Sequence, residues 1–113
     1  MSKSLKPTVL RSLAKFFIIK KTMYKIATWN VERPKKGTQK TALAIAKIEE
    51  LNADILVLTE NATSISLTEL YPFSVHSLSY ERTPEEHWVS IFSKWQITEQ
   101  IQTFDNYRTA CAV

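Results

Sequence analysis

The sequence is poor in glycine and cysteine, and this limits the chemistry it can support. Its single glycine, Gly37, is too few for a P-loop or a dinucleotide-binding turn, in which several glycines let backbone amides approach phosphates. Its single cysteine, Cys111, cannot form an intramolecular disulfide, so the expected compartment is a reducing cytoplasm, with Cys111 packed as a small hydrophobe. CxxC pairs, paired-histidine zinc spacings and a G-x-S-x-G elbow are also absent. These absences argue against nucleotide-binding loops, zinc modules and serine-hydrolase sites.

Acidic residues are missing from the first part of the chain. Residues 1–31 contain seven Lys/Arg and no acid, whereas residues 32–113 contain eight basic and eleven acidic residues, a net charge of −3. The overall charge of +4 therefore belongs to the N-terminal part, and the body lacks the basic stripe that neutralises DNA phosphates. No apolar run approaches the roughly 18–20 residues that span a bilayer, so we expect no transmembrane segment.

Residues 1–22 form a basic leader, and its apolar residues recur at helical spacing: Leu5, Val9, Leu13 and Phe16. Three interpretations are open, namely a membrane-surface or targeting helix, a helix packed on the domain, and a non-native leader translated from an upstream start codon. Met23 stands directly before the first strand, which favours the third. We therefore take residues 23–113 as the domain.

A strand–helix–strand unit opens the domain. Residues 24–31 (YKIATWNV) are typical of a strand. A helix follows, with Thr38 as its N-cap and Asn52 as the left-handed residue that ends it. Residues 54–60 (DILVLTE) are near-continuously apolar, which predicts a strand that is buried on both faces and ends at Glu60. The two strands should pair in parallel through a right-handed crossover, which indicates an α/β fold.

Weaker patterns cover the rest of the chain. They predict a helical turn at 64–70 and strands at 73–78, 88–93 and 109–113. We expect His76 and His87 to be surface residues.

Three polar side chains fall where the first two strands end. Asn30 and Glu32 should point the same way at the end of the first strand, and Glu60 should end the second. Neighbouring parallel strands bring these ends to one sheet edge, where α/β folds bind ligands. Clustered oxygen ligands suit Mg²⁺ or Mn²⁺. The alternative interpretation is that the glutamates are solvated and that Asn30 is a turn former.

From about Met23 to Val113, these motifs together resemble the opening half of the endonuclease/exonuclease/phosphatase (DNase I-like) family. Trp29-Asn30 looks like the family's first motif, in which the Asn contacts the phosphate or orients the metal network. Leu58-Thr59-Glu60 is similar to its L-Q-E motif, whose Glu ligates the metal, with Thr59 expected to point away from the site. Glu32, where many members have Asp or Asn, would be a second, water-mediated ligand. Residues 88–94 look like a later strand of the same family, although the glycine that the family usually has in this strand is missing here.

The resemblance implies part of a four-layer α/β sandwich, truncated after about half of the fold. It implies a Mg²⁺- or Mn²⁺-dependent hydrolase acting on nucleic acid or a small phosphoester. The family's G-D-x-N and S-D-H motifs do not occur in this sequence, so we expect the chain to be inactive by itself. Arg108 and Tyr107 could either face the cleft or be solvated. The alternative to a hydrolase fragment is a non-catalytic α/β remnant that acts, if at all, as a binding module.

Overall fold

The computed structural model describes residues 24–79 and 81–113, so the predicted leader lies outside the described residues. The elements in chain order are β1 (Ile26–Asn30), α1 (Gln39–Leu51), β2 (Ile55–Ala62), β3 (Phe73–His76), β4 (Glu86–Ser93), β5 (Gln100–Ile101) and β6 (Cys111–Ala112). Over the described ranges the chain is a small α/β domain with a mixed sheet and one helix.

Local capping determines both ends of α1. At its start the Thr38 side chain accepts a hydrogen bond from the backbone N–H of Thr41, 3.3 Å away. At its end Asn52 adopts the left-handed conformation (φ 46°, ψ 46°) and donates its N–H to Ile48 O over 3.0 Å. Both capping residues predicted from the sequence are confirmed.

The main sheet has the strand order β1-β2-β4-β3, and β5 pairs separately with β6. β1 and β2 are parallel, as predicted, with Asn30 opposite Thr59 in the register. β4 runs antiparallel to both β2 and β3. The carboxyl ends of β1 and β2 therefore emerge together at one edge, beside the start of β4.

The hydrophobic core lies between α1 and one face of the sheet. Its buried members are Val31, Ala44, Ile48, Leu56, Leu58, Ile65, Leu67, Tyr71 and Phe92. The Tyr71 hydroxyl is also buried, and it donates to Ala53 O over 2.8 Å. Burial in apolar surroundings, with a smaller contribution from Asp54, raises the pKa of Tyr71 above its ordinary value of 10.0. Tyr71 therefore stays a neutral donor that ties the loop before β3 to the loop before β2.

The prediction that β2 is buried on both faces is wrong. Leu56 and Leu58 are fully buried on the face that meets α1, whereas Ile55, Val57 and Thr59 on the opposite face are only half-buried. The reason is that α1, the one helix of the described residues, covers a single face of the sheet. Apolar residues on the other face are therefore only partly covered.

Several predicted ends also shift. β2 continues past Glu60 to Ala62, because Asn61 and Ala62 pair with the first residues of β4. The predicted helical turn at 64–70 is shorter in the structure. It starts at Leu67 and is closed by the hydrogen bond from Tyr71 N to Leu67 O (2.7 Å). Cys111 is exposed in a two-residue strand and does not pack as a small hydrophobe.

Candidate functional site

Asn30 and Glu60 come together at the carboxyl ends of β1 and β2. Both residues line one open groove, together with Trp88 of β4 and with Arg108 from the segment that precedes β6. The expected convergence of an amide and a carboxylate at this edge is therefore seen for these two residues. Asn30 Oδ1 accepts the backbone N–H of Glu32 at 2.9 Å, which fixes the amide while leaving its second lone pair for another partner.

Thr59 does not point away from the groove as expected. It lies directly beside Asn30 in the parallel register, so the two side chains share a face of the sheet, and Thr59 lines the same groove. Thr59 therefore belongs to the candidate site. Its hydroxyl could serve as a hydrogen-bond donor or acceptor there.

Glu32 lies apart from this groove, on the side of α1. Its carboxylate is 3.3 Å from Lys40 Nζ in the first turn of the helix, and it is largely exposed. Asn30 thus shares one groove with Glu60 and a separate groove, beside α1, with Glu32, while the Glu32 carboxylate is paired with a helix lysine.

Three residues at this edge have left-handed backbone conformations. They are Glu32 (φ 55°), Arg33 (φ 52°) and Glu60 (φ 50°). A residue with a Cβ adopts this region at a cost of about 1–2 kcal/mol, and such strain is concentrated at functional sites. At Glu60 (φ 50°) it turns the side chain into the same groove that Thr59 lines, so the side-chain alternation along β2 does not continue past Thr59.

Replacing Glu32 with glycine should raise the free energy of unfolding by about 1 kcal/mol, because glycine adopts positive φ without a Cβ penalty. Its side-chain ion pair with Lys40 is exposed and contributes little. Urea unfolding followed by circular dichroism measures the change. Glu32→Ala removes the same carboxylate but keeps the Cβ, so it should give no such gain; an equal gain in both variants would show that strain is not the cause.

The Glu60 carboxylate forms an ion pair with the guanidinium of Arg33. Arg33 Nη1 lies 3.0 Å from Glu60 Oε1, and the backbone N–H of Arg33 donates to Glu60 O over 2.7 Å. Arg33 Nε is also 3.6 Å from Glu86 Oε1, and its guanidinium lies 5.0 Å from the centre of a Trp88 ring. Sequence patterns missed Arg33 because its partners come from β2 and β4, far along the chain.

The residues present can supply part of a magnesium shell. Among residues 24–79 and 81–113 no three His, Cys, Asp or Glu side chains are grouped so as to hold a metal ion. Mg²⁺, however, is commonly held by one or two carboxylates, with waters and substrate phosphate oxygens completing its shell. Glu60 as the carboxylate and Asn30 as the amide fit that minimal donor set.

A second polar cluster lies within the sheet and was not foreseen. Asn61 Nδ2 donates to Ser90 Oγ (3.0 Å), which is also 2.7 Å from His76 Nδ1. His87 donates from Nδ1 to Ser77 O over 2.6 Å, and the two imidazole rings are 4.9 Å apart. Burial, and secondarily His87, lowers the pKa of His76 below its ordinary value of 6.5. The predicted surface histidines are therefore half-buried parts of a hydrogen-bonded network.

Comparison of the chain with protein-family models, with curated proteins and with solved structures finds no match to any of them. Within the described ranges, no helix is both long enough and apolar enough to cross a membrane.

Proposed function

We propose that this chain carries the metal-binding part of a divalent-metal-dependent phosphoester hydrolase of the endonuclease/exonuclease/phosphatase type, built on part of a four-layer α/β sandwich. The observation that carries the proposal is the shared groove of Asn30 and Glu60 at the carboxyl ends of two parallel strands. Ligand sites of α/β sheets lie at such ends. The half-buried apolar face of β2 is consistent with a larger sandwich, because a second layer would cover it.

Each residue has a distinct role in this proposal. Glu60 holds Mg²⁺ or Mn²⁺, and Asn30 binds the substrate phosphate or a water of the metal shell with the lone pair that Glu32 N–H leaves unused. The bound ion would supply charge stabilisation for attack on the phosphoryl group. Glu32 would contact the metal ion only through water, since its carboxylate is paired with Lys40. The substrate is a phosphoester, either nucleic acid or a small molecule.

Glu60→Gln should weaken Mn²⁺ binding by more than about tenfold, because the amide keeps the shape of the side chain but removes the charge that holds a hard cation. Isothermal titration calorimetry on the 113-residue chain measures the affinity. The substitution should leave the melting temperature within a few degrees, because the Arg33–Glu60 pair lies near solvent, where ion pairs contribute little.

Two matched variants make the result specific. Glu86→Gln removes the other carboxylate of Arg33, and Glu32→Gln removes the more distant predicted ligand; both change the charge as Glu60→Gln does. We expect each to alter Mn²⁺ affinity far less. Equal affinities in the unmodified chain and in Glu60→Gln would refute the assignment, and would leave the non-catalytic binding module as the better description.

A further inference from the structure

The guanidinium of Arg33 is held by three groups at one end of the candidate site. Glu60 and Glu86 approach it from two sides, at 3.0 Å and 3.6 Å, while Trp88 lies against its face. All four side chains line a second groove that adjoins the one described above through Glu60 and Trp88. Because ion pairs and a ring contact act together, the position of this arginine is much better defined than that of a solvated surface arginine.

The charge balance of this cluster disfavours anions. One guanidinium faces two carboxylates, a net charge of −1 within a few ångströms. A phosphate approaching Arg33 would therefore meet both carboxylates, and one of the two N–H groups of Nη1 already faces Glu60. A divalent cation on Glu60 would reverse the local sign to +1 and would release that donor.

A released Arg33 is well suited to phosphate. The guanidinium presents five N–H donors in a planar fork that matches two phosphate oxygens, a geometry that lysine lacks. Glu86 and Trp88 would still hold its Nε side and its face, so the arginine would stay at the groove after Glu60 turned to the metal.

We propose that Arg33 is a phosphate-binding residue whose guanidinium is occupied by Glu60 until a divalent cation takes the carboxylate, so that the cation binds before the phosphate. The metal step rests on the proposed function. The masking of Arg33 by Glu60 does not, because that contact involves only these two side chains.

The masking is tested without metal. Inorganic phosphate is titrated into the 113-residue chain and followed by ³¹P nuclear magnetic resonance. Glu60→Gln should bind phosphate about tenfold more tightly than the unmodified chain, because it frees one charge-assisted donor. Glu85→Gln is the matched control: it removes one negative charge from a neighbouring exposed glutamate that forms no ion pair with Arg33. Equal gains in the two variants would overturn the proposal, since a general charge effect would then explain them.

The role of the guanidinium is tested in the Glu60→Gln background. Adding Arg33→Met should abolish the gain in phosphate affinity, and adding Arg33→Lys should keep only part of it, because lysine retains the charge but not the fork. The lysine variant keeps the test decisive if the methionine variant fails to fold. Full retention of phosphate binding in the lysine variant and in a folded methionine variant would overturn the assignment of Arg33.

The proposed release of Arg33 by a metal ion on Glu60 is tested by titrating Mn²⁺ into the unmodified chain and into an Arg33 variant. Arg33→Met should bind Mn²⁺ severalfold more tightly than the unmodified chain, because a competing cation on Glu60 is gone. In the unmodified chain, saturating Mn²⁺ should raise phosphate affinity. If Mn²⁺ binds to neither protein, the proposed function and the metal step both fail, while a gain specific to Glu60→Gln would still establish Arg33 as a masked phosphate site.

Discussion

Replacing Leu58 with alanine should lower the free energy of unfolding by about 3 kcal/mol, within the range of about 2–5 kcal/mol typical of buried leucines. Leu58 is fully buried on the face of β2 that meets α1, where it packs with Ile48 in the core. It lies between Trp29 of β1 and Ser90 of β4 in the sheet, so the surrounding backbone cannot collapse into the space left behind. Urea unfolding followed by circular dichroism measures the loss.

Leu43→Ala is the matched control for this substitution. Leu43 is a leucine of α1 that is 62% exposed, and alanine is a good helix former, so its replacement should change stability by less than about 0.5 kcal/mol. Similar losses for the two leucines would contradict the packing of α1 on this face of the sheet. Because Leu58 is two residues before Glu60, its loss should also weaken Mn²⁺ binding if Glu60 is a metal ligand.

Much of the fold could be predicted because its signals are local. A threonine at the N-cap and an asparagine able to adopt positive φ determine the ends of α1 within a few residues of chain. The apolar runs of β1 and β2, separated by that helix, leave parallel pairing as the favoured arrangement. The same reasoning brought Asn30 and Glu60 to one edge of the sheet.

The details of the site could not be predicted because they break local rules. The alternation of side chains along a strand assigned Thr59 to the face away from the site, yet the left-handed Glu60 ends that alternation and Thr59 lies beside Asn30. Nothing in the sequence marks a glutamate for positive φ, since this conformation is rare for residues other than glycine and asparagine. Its cost is met by the surrounding sheet, which the sequence pattern does not reveal.

Arg33 and His76 were missed for a different reason. Each has its main partners on another strand: Arg33 meets Glu60 and Glu86, and His76 meets Ser90. Ser90 also bonds Asn61, 29 residues away in sequence, through a pairing that depends on β4 running antiparallel to β2. Such contacts follow from strand order, which short sequence patterns do not determine. A polar residue inside an apolar strand, such as Ser90 in WVSIFS, was the one available signal of a buried network.

Lowering the pH below about 6.5 should destabilise the fold through His76. Burial, and secondarily the nearby His87 ring, lowers the pKa of His76 in the folded state below its ordinary value of 6.5. The unfolded chain therefore binds more protons than the folded one as the pH falls from 6.5 through the folded-state pKa. The contribution of His76 to stability is fully present above pH 6.5 and is lost across that window, at a rate of up to about 1.4 kcal/mol per pH unit.

The His76→Gln variant isolates this effect from the titration of the carboxylates. Glutamine can still bond Ser90 Oγ but carries no titrating proton, so the unfolding free energy of this variant should depend less on pH in the interval below about 6.5 than that of the unmodified chain. Urea unfolding at several pH values in this interval measures both slopes. Protonation of His76 would also turn Nδ1 into an obligatory donor and place a charge 4.9 Å from the His87 ring centre. Identical slopes for the two proteins would mean that His76 titrates with the same pKa in the folded and unfolded chains, and that its burial carries no energetic cost.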